Sequence, residues 1–104
     1  MKRRSVVKVL IDAAGRLFVQ PQLDPGATYE HIYREANGLR WDSQHRALHA
    51  YEPKRWEPVE LLQHIAATLC SAYDERLQIT ENTIWEGVPQ DLQAALRATL
   101  AKES

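Results

Sequence analysis

Apolar and polar residues along the first twenty positions predict a β-hairpin. The stretch "SVVKVLID" is β-branched and apolar, "AAG" offers a turn in which Gly15 can take a positive φ, and "RLFVQ" returns to strand character. The pattern predicts strands over Ser5–Asp12 and Arg16–Gln20, with Pro21 stopping the second. The next stretch, "PQLDPGA", is typical of a loop because its prolines and glycine favour turns.

A short helix is predicted over Tyr29–Asn37. Its apolar residues fall at positions i, i+3, i+4 and i+7 of a helix: Tyr29, Ile32, Tyr33 and Ala36. Thr28 can cap the start, and Gly38 suits the left-handed residue that commonly follows a helix. A second hairpin is predicted next, because "LRWD" and "ALHAY" alternate apolar with polar residues around the turn-like "SQHR".

The longest apolar stripe predicts a helix over Pro58–Asp74. Its members recur at helical spacing: Val59, Leu62, Ile65, Ala66, Leu69, Cys70 and Tyr73. Pro58 fits the first turn, since the N–H group that proline lacks would be unpaired there. The preceding "YEPKRWEP" is interpreted as the stiff loop that leads into this helix, with Trp56 packing back against the first turn as a hydrophobic staple.

The remaining residues predict one more strand and a final helix. "LQIT" is a short strand candidate, "ENT" a turn and "IWEGVP" an irregular or extended segment, after which an amphipathic stripe runs from Pro89 to Lys102. The predicted order is ββαββαβα, an α+β fold in which three helices pack on a mostly antiparallel sheet of about five strands. We expect residues 1–104 to form a single domain, because a chain of 104 residues suits one hydrophobic core.

Composition narrows the class of protein. Apolar residues make up 44% and charged residues 26%, a balance typical of a folded chain. A formal net charge of −1 argues against nucleic-acid binding, which depends on many Lys and Arg contacts with phosphates, although the chain begins with the basic "KRRSVVK". No apolar run approaches the roughly 20 residues of a membrane span, and the start lacks the apolar region of a signal peptide. We therefore expect no membrane association and a cytoplasmic location, with which the single Cys70 agrees.

Candidate catalytic and metal-binding groups are sparse. The histidines lack the closely spaced cysteine partners of a structural zinc site and are interpreted as exposed polar residues: His31, His45, His49 and His64. Cys70 lies on the apolar stripe, so we expect it to be buried and not to act as a nucleophile with His64 on the same helix. We predict no catalytic residues, no metal and no cofactor, and the sequence favours a non-enzymatic protein.

Tryptophan and tyrosine are the residue types that most indicate a binding surface in this chain. Three Trp and four Tyr accompany a single Phe. Both residue types combine an apolar body with a polar group, which favours them in subunit interfaces and ligand pockets. The candidates for such a surface are Trp41, Tyr51, Arg55, Trp56 and Trp85. The alternative is that the aromatic side chains fill the layer between the sheet and the helices.

Four stretches together resemble a small α+β family of integron gene-cassette proteins: "IDAAGRLFVQP", "YEHIYREANGLRWD", "YEPKRWEP" and "LQITENTIWEGVP". The resemblance spans about residues 10–89. It implies a compact, cytoplasmic bacterial protein that often self-associates, and it brings no catalytic residues, because the family has no assigned biochemical activity. The chain departs from the family pattern after Pro58, where Val59, Leu61 and Leu62 stand in place of an early aromatic residue.

These observations lead to three functional hypotheses. The first is a self-associating domain, either a homodimer or a larger homo-oligomer, or a domain that binds a protein partner through its aromatic surface. The second is a small-molecule binding module, or a modest enzyme built on one, whose pocket is lined by the same tryptophans and Tyr33. The third gives the basic start of the chain an antitoxin-like or nucleic-acid-contacting role.

Overall fold

The computed structural model describes residues 2–36, 38–52 and 55–102, and in it a six-stranded sheet carries α-helices on one face. The strands are β1 (Lys2–Ile11), β2 (Leu17–Pro21), β3 (Leu39–Asp42), β4 (Ala47–Ala50), β5 (Glu75–Gln78) and β6 (Ile84–Glu86). The helices are α1 (Pro58–Tyr73) and α2 (Gln90–Lys102). Within the described ranges, no helix is long and apolar enough to cross a membrane.

Strand β1 pairs with three other strands of the sheet, β2, β5 and β6. The strand order is β3-β4-β2-β1-β5, and β6 also pairs with β1. The pairs of β2 with β1, of β2 with β4 and of β3 with β4 are antiparallel, whereas β5 and β6 run parallel to β1. Strand β1 has 10 residues, so one of its edges has room for both short strands, with β5 beside Lys2–Ser5 and β6 beside Lys8–Leu10.

The predicted order ββαββαβα is wrong in its helix count and its strand count. The described part of the chain contains two α-helices, because the segment predicted as a helix over Tyr29–Asn37 forms only one 3-10 turn at Ile32–Arg34. Asn37 itself lies outside the described residues. The segment "IWEGVP", predicted as irregular or extended, contains the sixth strand, and the sheet is mixed, although mostly antiparallel.

The segment predicted as the first helix is held by long-range contacts. Tyr29 is buried, and its hydroxyl donates to Glu75 Oε1 at 2.5 Å, across 46 residues of sequence. Ile32 and Ala36 are also buried, whereas Tyr33 is exposed. The three buried side chains reach the core without an α-helix. A nine-residue segment is too short to be stable as an isolated helix.

The sixth strand depends on a close approach of backbones. Gly87 follows β6 with a φ of +68°, and a Cβ atom built on it would lie 2.3 Å from the carbonyl oxygen of Ile11. Just before β6, the Thr83 hydroxyl donates to the Val6 carbonyl at 2.7 Å and accepts from the Thr80 N–H at 3.0 Å. These contacts fix the segment between β5 and β6 against β1 at the point where β1 has a bulge.

A single cluster of buried side chains fills the space between the sheet and the helices. Its fully buried members include Val9 and Val19 of the central strands, Ile65 and Leu69 of α1, and Leu96 of α2. In β6, Trp85 packs against this cluster, whereas its neighbour Ile84 is 54% exposed.

The buried stripe of α1 is rotated from the predicted one. It includes Leu61 and Thr68, which the pattern did not single out, and it leaves Cys70 exposed. The prediction that Cys70 is buried is therefore wrong. The spacing predicts the helix, but which side packs fully is set by neighbouring elements, and Val59 and Tyr73 are only partly buried against the core.

Candidate functional site

A groove at one end of the sheet brings together three of the five residues predicted for an interface or ligand surface. It lies where β3 begins, β4 ends and α1 is about to begin, and its volume is about 390 Å³. The lining residues, called here the aromatic–arginine groove, are Gly38, Arg40, Tyr51, Glu52, Arg55 and Trp56. Pro53 and Lys54, which belong to the predicted stiff loop, lie outside the described residues.

Backbone contacts join the two strands at the base of the groove. The Tyr51 N–H donates to the Gly38 carbonyl at 2.7 Å, which extends the β3–β4 pairing by one step beyond β4. Gly38 has a φ of +87°, a left-handed conformation that favours glycine, and a Cβ atom at this position would be 3.8 Å from Trp56 Nε1. The chain therefore turns into β3 directly beneath the tryptophan.

Arg40 is the central side chain of the groove. Its guanidinium carbon lies 4.6 Å from the ring centroid of Tyr51 and 5.7 Å from that of Tyr33. A cation close to an aromatic ring is attracted by the ring's quadrupole, by about 0.5–1 kcal/mol at exposed sites. Strand alternation places Arg40 on the side opposite to its neighbour Trp41, so the cation meets the tyrosines and not the adjacent indole.

Trp56 forms the wall of the groove next to α1. Its ring stacks on His64 with centroids 4.8 Å apart and an interplanar angle of 9°. The residue precedes Glu57, the N-cap of α1, and Pro58 occupies the first turn, as expected. The tryptophan thus packs back onto its own helix, but the partner is a histidine in the second turn and the indole is held as a half-buried, flat surface.

The groove is positively charged. Arg55 Nε and Glu52 Oε2 are 3.6 Å apart, and both side chains are largely exposed. An exposed pair of this kind contributes little to stability, typically below 1 kcal/mol. Glu52 is the one carboxylate among the described lining residues, against the two guanidinium groups of Arg40 and Arg55.

Trp41 and Trp85 do not take part in this groove. Both are partly buried against the hydrophobic core. Trp41 packs near Tyr29, with ring centroids 5.7 Å apart, while Trp85 lies under Arg97 of α2, whose guanidinium carbon is 5.3 Å from the indole centroid. Strands β3 and β6 are separated by three strands, which corresponds to about 19 Å at the usual spacing.

His45 and His49 both lie against the ring of Phe18. His45 stacks on Phe18 with centroids 4.4 Å apart, and His49 lies 5.2 Å from the same ring, so neither is the simple exposed residue that the sequence predicts. His45 Nδ1 is 2.8 Å from Asp42 Oδ2. Burial lowers the pKa of His49 from its ordinary value, although the nearby Asp42 charge opposes this shift. Among the described residues, no three His, Cys, Asp or Glu side chains are grouped as a metal site requires.

The basic start of the chain is mostly occupied by ion pairs. Lys2 Nζ lies 2.7 Å from Asp24 Oδ2, Lys8 Nζ lies 3.2 Å from Glu86 Oε1, and Arg4 is buried against Glu75. Burial disfavours the Arg4 cation, but its bonds to Glu75 and Asp24 outweigh this and raise the pKa of the guanidinium. These three charges are consequently engaged within the fold, whereas no ion pair of Arg3 occurs within the described part of the chain.

The comparisons with known proteins agree with the resemblance seen in the sequence. The family model of the integron cassette protein Hfx_Cass5 matches residues 5–83. A solved structure of an integron cassette protein Hfx_Cass5, from the mobile metagenome of North West Arm Sewage Outfall, is similar at 35% sequence identity, with a TM-score of 0.45. The similarity covers 97% of this chain and 98% of that one. None of the curated proteins matches the chain. Because the family model covers most of the sequence, this chain belongs to the Hfx_Cass5 family of integron cassette proteins.

Proposed function

We propose that this protein is a non-enzymatic domain of the bacterial cytoplasm that associates with a second copy of itself through the aromatic–arginine groove and its rim. The observation that carries the proposal is the position of the Arg40 guanidinium between two exposed tyrosine rings, those of Tyr33 and Tyr51.

Exposure of the tyrosines supports this proposal. Tyr33 is 45% and Tyr51 64% exposed, and together with Ile84 they are the large apolar side chains that the described part of the chain leaves in solvent. Tyr, Trp and Arg are the residue types that most often dominate the binding energy of an interface. Their concentration around one groove therefore favours a contact surface over a chance exposure of single residues.

The charges of the groove suit a contact between identical surfaces. A two-fold interface must be complementary to itself, so it needs both partners of each polar contact on one surface. Arg55 and Glu52 supply such a pair, because each is exposed and can exchange its partner for the same residue of the second copy. Arg40 can likewise contact a tyrosine of the other copy.

The side chains that line the groove favour binding over catalysis. A general base requires a titratable group within hydrogen-bond reach of a nucleophile or substrate proton. Glu52 is engaged with Arg55, and the other described lining side chains are those of Arg, Tyr and Trp. The arrangement favours recognition of a surface over transfer of a proton.

A small molecule is the second candidate occupant of the same groove. The observation that favours it is the concavity of about 390 Å³ between the flat faces of Tyr51 and Trp56, which lies within the usual range for ligand pockets. A planar molecule with a negative charge would stack on the aromatic rings and pair with Arg40 or Arg55.

Sedimentation velocity over a range of protein concentrations tests the proposal. We expect a concentration-dependent dimer for the natural sequence, and we expect Tyr51→Ser and Tyr33→Ser each to raise the dissociation constant by about tenfold or more, as for hot-spot residues. Ile84→Ser is the matched control, because it removes an exposed apolar side chain outside the groove. We expect it to leave the dissociation constant unchanged.

A monomer at every concentration up to about 100 μM, where a contact in the micromolar range is saturated, would contradict self-association. A thermal-shift screen with planar organic anions then tests the second candidate. A ligand at about 100 times its dissociation constant stabilises the protein by about 2.7 kcal/mol, and Arg40→Gln should abolish this shift.

A further inference from the structure

A second cavity, distinct from the aromatic–arginine groove, lies between β5 and the last turns of α2. Its volume is about 360 Å³. Three arginines line it, namely Arg3 of β1, Arg76 of β5 and Arg97 of α2, and none of the described lining residues is acidic. We propose that this cavity is a binding site for a small organic phosphate, and we call it the triple-arginine pocket.

The pairing of β1 with β5 brings two of the cations together. Arg3 and Arg76 are direct partners in the parallel register of these strands. Like charges directly opposite each other destabilise a sheet, so such a pair is unfavourable unless a negative charge lies between the side chains. Arg97 approaches from the helix and adds a third positive charge to the same cavity.

Within the described residues, these three arginines lack the carboxylate partners that the other cations nearby have. Lys2, Arg4 and Lys8 of the same strand each contact a carboxylate. Across residues 2–36, 38–52 and 55–102, no ion pair joins Arg3, Arg76 or Arg97 to an acidic side chain. No carboxylate of the described residues therefore neutralises their charge, which supports an anion as the ligand.

The chemistry of the lining favours a phosphate ester. Guanidinium groups present planar pairs of N–H donors that fit the oxygens of phosphate, and several together can bind an anion of two negative charges. Ile79 and Leu100 add apolar surface to the cavity. A cavity of about 360 Å³ has the size of a pocket for an organic ligand and is larger than a single inorganic ion requires.

The helix dipole opposes the proposed ligand, but only weakly. The cavity adjoins the C-terminal part of α2, where unpaired carbonyl groups are equivalent to about half a negative charge. Three full positive charges on the arginines exceed this partial charge. The net potential of the pocket is accordingly positive, and the dipole only offsets part of it.

Trp85 provides a signal for the binding of an anion. The Arg97 guanidinium carbon lies 5.3 Å from the Trp85 ring centroid. A phosphate that pairs with Arg97 would draw the guanidinium away from the indole or change its charge environment. We therefore expect ligand binding to change the fluorescence of Trp85, and Trp85→Phe to remove that change while calorimetry still detects binding.

The experiment uses phenyl phosphate as the probe, followed by isothermal titration calorimetry and tryptophan fluorescence on the full chain. We expect saturable binding that weakens as sodium chloride is added, and we expect phenol, which lacks the phosphate, not to bind. Arg76→Gln and Arg97→Gln should each weaken binding by about tenfold or more, because each removes charge-assisted hydrogen bonds. Arg76→Lys should weaken it less, since the charge remains and only the paired geometry is lost.

Arg46→Gln is the control variant, because it removes an exposed arginine that lines neither the triple-arginine pocket nor the aromatic–arginine groove, and it should leave phenyl phosphate binding unchanged. Far-UV circular dichroism establishes that each variant is folded. No saturable binding of phenyl phosphate to the folded natural chain would overturn the proposal, as would full binding by a folded Arg76→Gln/Arg97→Gln variant. Binding of a single-stranded oligonucleotide without binding of phenyl phosphate would also overturn it, in favour of a nucleic-acid site.

Discussion

Arg4 connects the start of the chain to distant segments of the fold. It is buried, its Nε donates to Glu75 Oε2 at 3.0 Å, and its Nη1 donates to the Gln22 carbonyl at 2.9 Å. The same carboxylate accepts the Tyr29 hydroxyl, and burial together with this bond raises the pKa of Tyr29. Four separate parts of the chain therefore meet at one buried ion pair, which the basic stretch "KRRSVVK" did not reveal.

Removal of one member of this buried pair should be strongly destabilising. We expect Arg4→Met to lower the free energy of unfolding by about 3–5 kcal/mol, because Glu75 then stays buried without its cation. Urea denaturation measures the change. Lys2→Met is the matched control, since its pair with Asp24 is exposed, and it should change the free energy of unfolding by less than about 1 kcal/mol. Equal effects of the two substitutions would contradict the role assigned to Arg4.

His49 should make stability depend on pH. Its pKa is lowered in the folded protein, so below the ordinary value of 6.5 the unfolded chain binds more protons than the folded one. The contribution of His49 to the free energy of unfolding is fully present above pH 6.5. It is lost as the pH falls from there through the folded pKa. We expect His49→Gln to reduce the loss of stability on acidification, whereas His31→Gln, a change at an exposed histidine, should not. Urea midpoints between about pH 7.5 and pH 5 measure this, and identical profiles for the natural chain and His49→Gln would contradict it.

At the scale of single elements, Gly87 shows how a short strand is held. Gly15 and Gly87 both have a positive φ, but a Cβ atom on Gly15 meets nothing within 4 Å, whereas one on Gly87 meets the Ile11 carbonyl oxygen at 2.3 Å. We expect Gly15→Ala to lower the free energy of unfolding by about 1 kcal/mol, from backbone strain alone. Gly87→Ala should cost about 1–3 kcal/mol more, because β6 must move away from β1. Thermal or urea unfolding of the two variants measures the difference, and equal losses would contradict the close approach.

Elements set by local pattern could be predicted from the sequence, and elements set by distant contacts could not. Helix α1 follows from a long apolar stripe and from Pro58 in its first turn. The spacing of Tyr29 and Ile32 suggested a helix equally well, but the Tyr29 hydroxyl is bonded to Glu75. Strand β6 has three residues, too few for a period to be visible, and it exists because it pairs with β1.

The candidate site was predictable in its residue types more than in its geometry. Tyr51, Arg55 and Trp56 line one groove because all three come from a single stretch near the start of α1. Trp41 and Trp85 were grouped with them on residue type alone, and the sheet places both against the core. Nothing in the local pattern around Arg3, Arg76 and Arg97 indicated that pairing of β1 with β5 would bring them to one cavity.

At the scale of the whole molecule, one shared core implies cooperative unfolding. Strands, α1 and α2 all contribute to a single buried cluster, and Leu96 of α2 is fully buried within it. We expect far-UV circular dichroism and tryptophan fluorescence to report the same urea transition, as in two-state unfolding of a single domain. Leu96→Ala should lower the free energy of unfolding by about 2–5 kcal/mol and shift both signals together. Separate transitions for the two signals would show that α2 unfolds independently.

The position of β1 also has a consequence for how the protein is made. Among the described strands, β1 is synthesised before the others, and the side of β1 that pairs with β5 and β6 stays unpaired until residues 75–86 have been synthesised. Contacts between such distant parts of a chain generally slow folding. A nascent chain that stalls before β5 would present an open hydrogen-bonding edge to its neighbours, so β5 and β6 also protect β1 from aggregation.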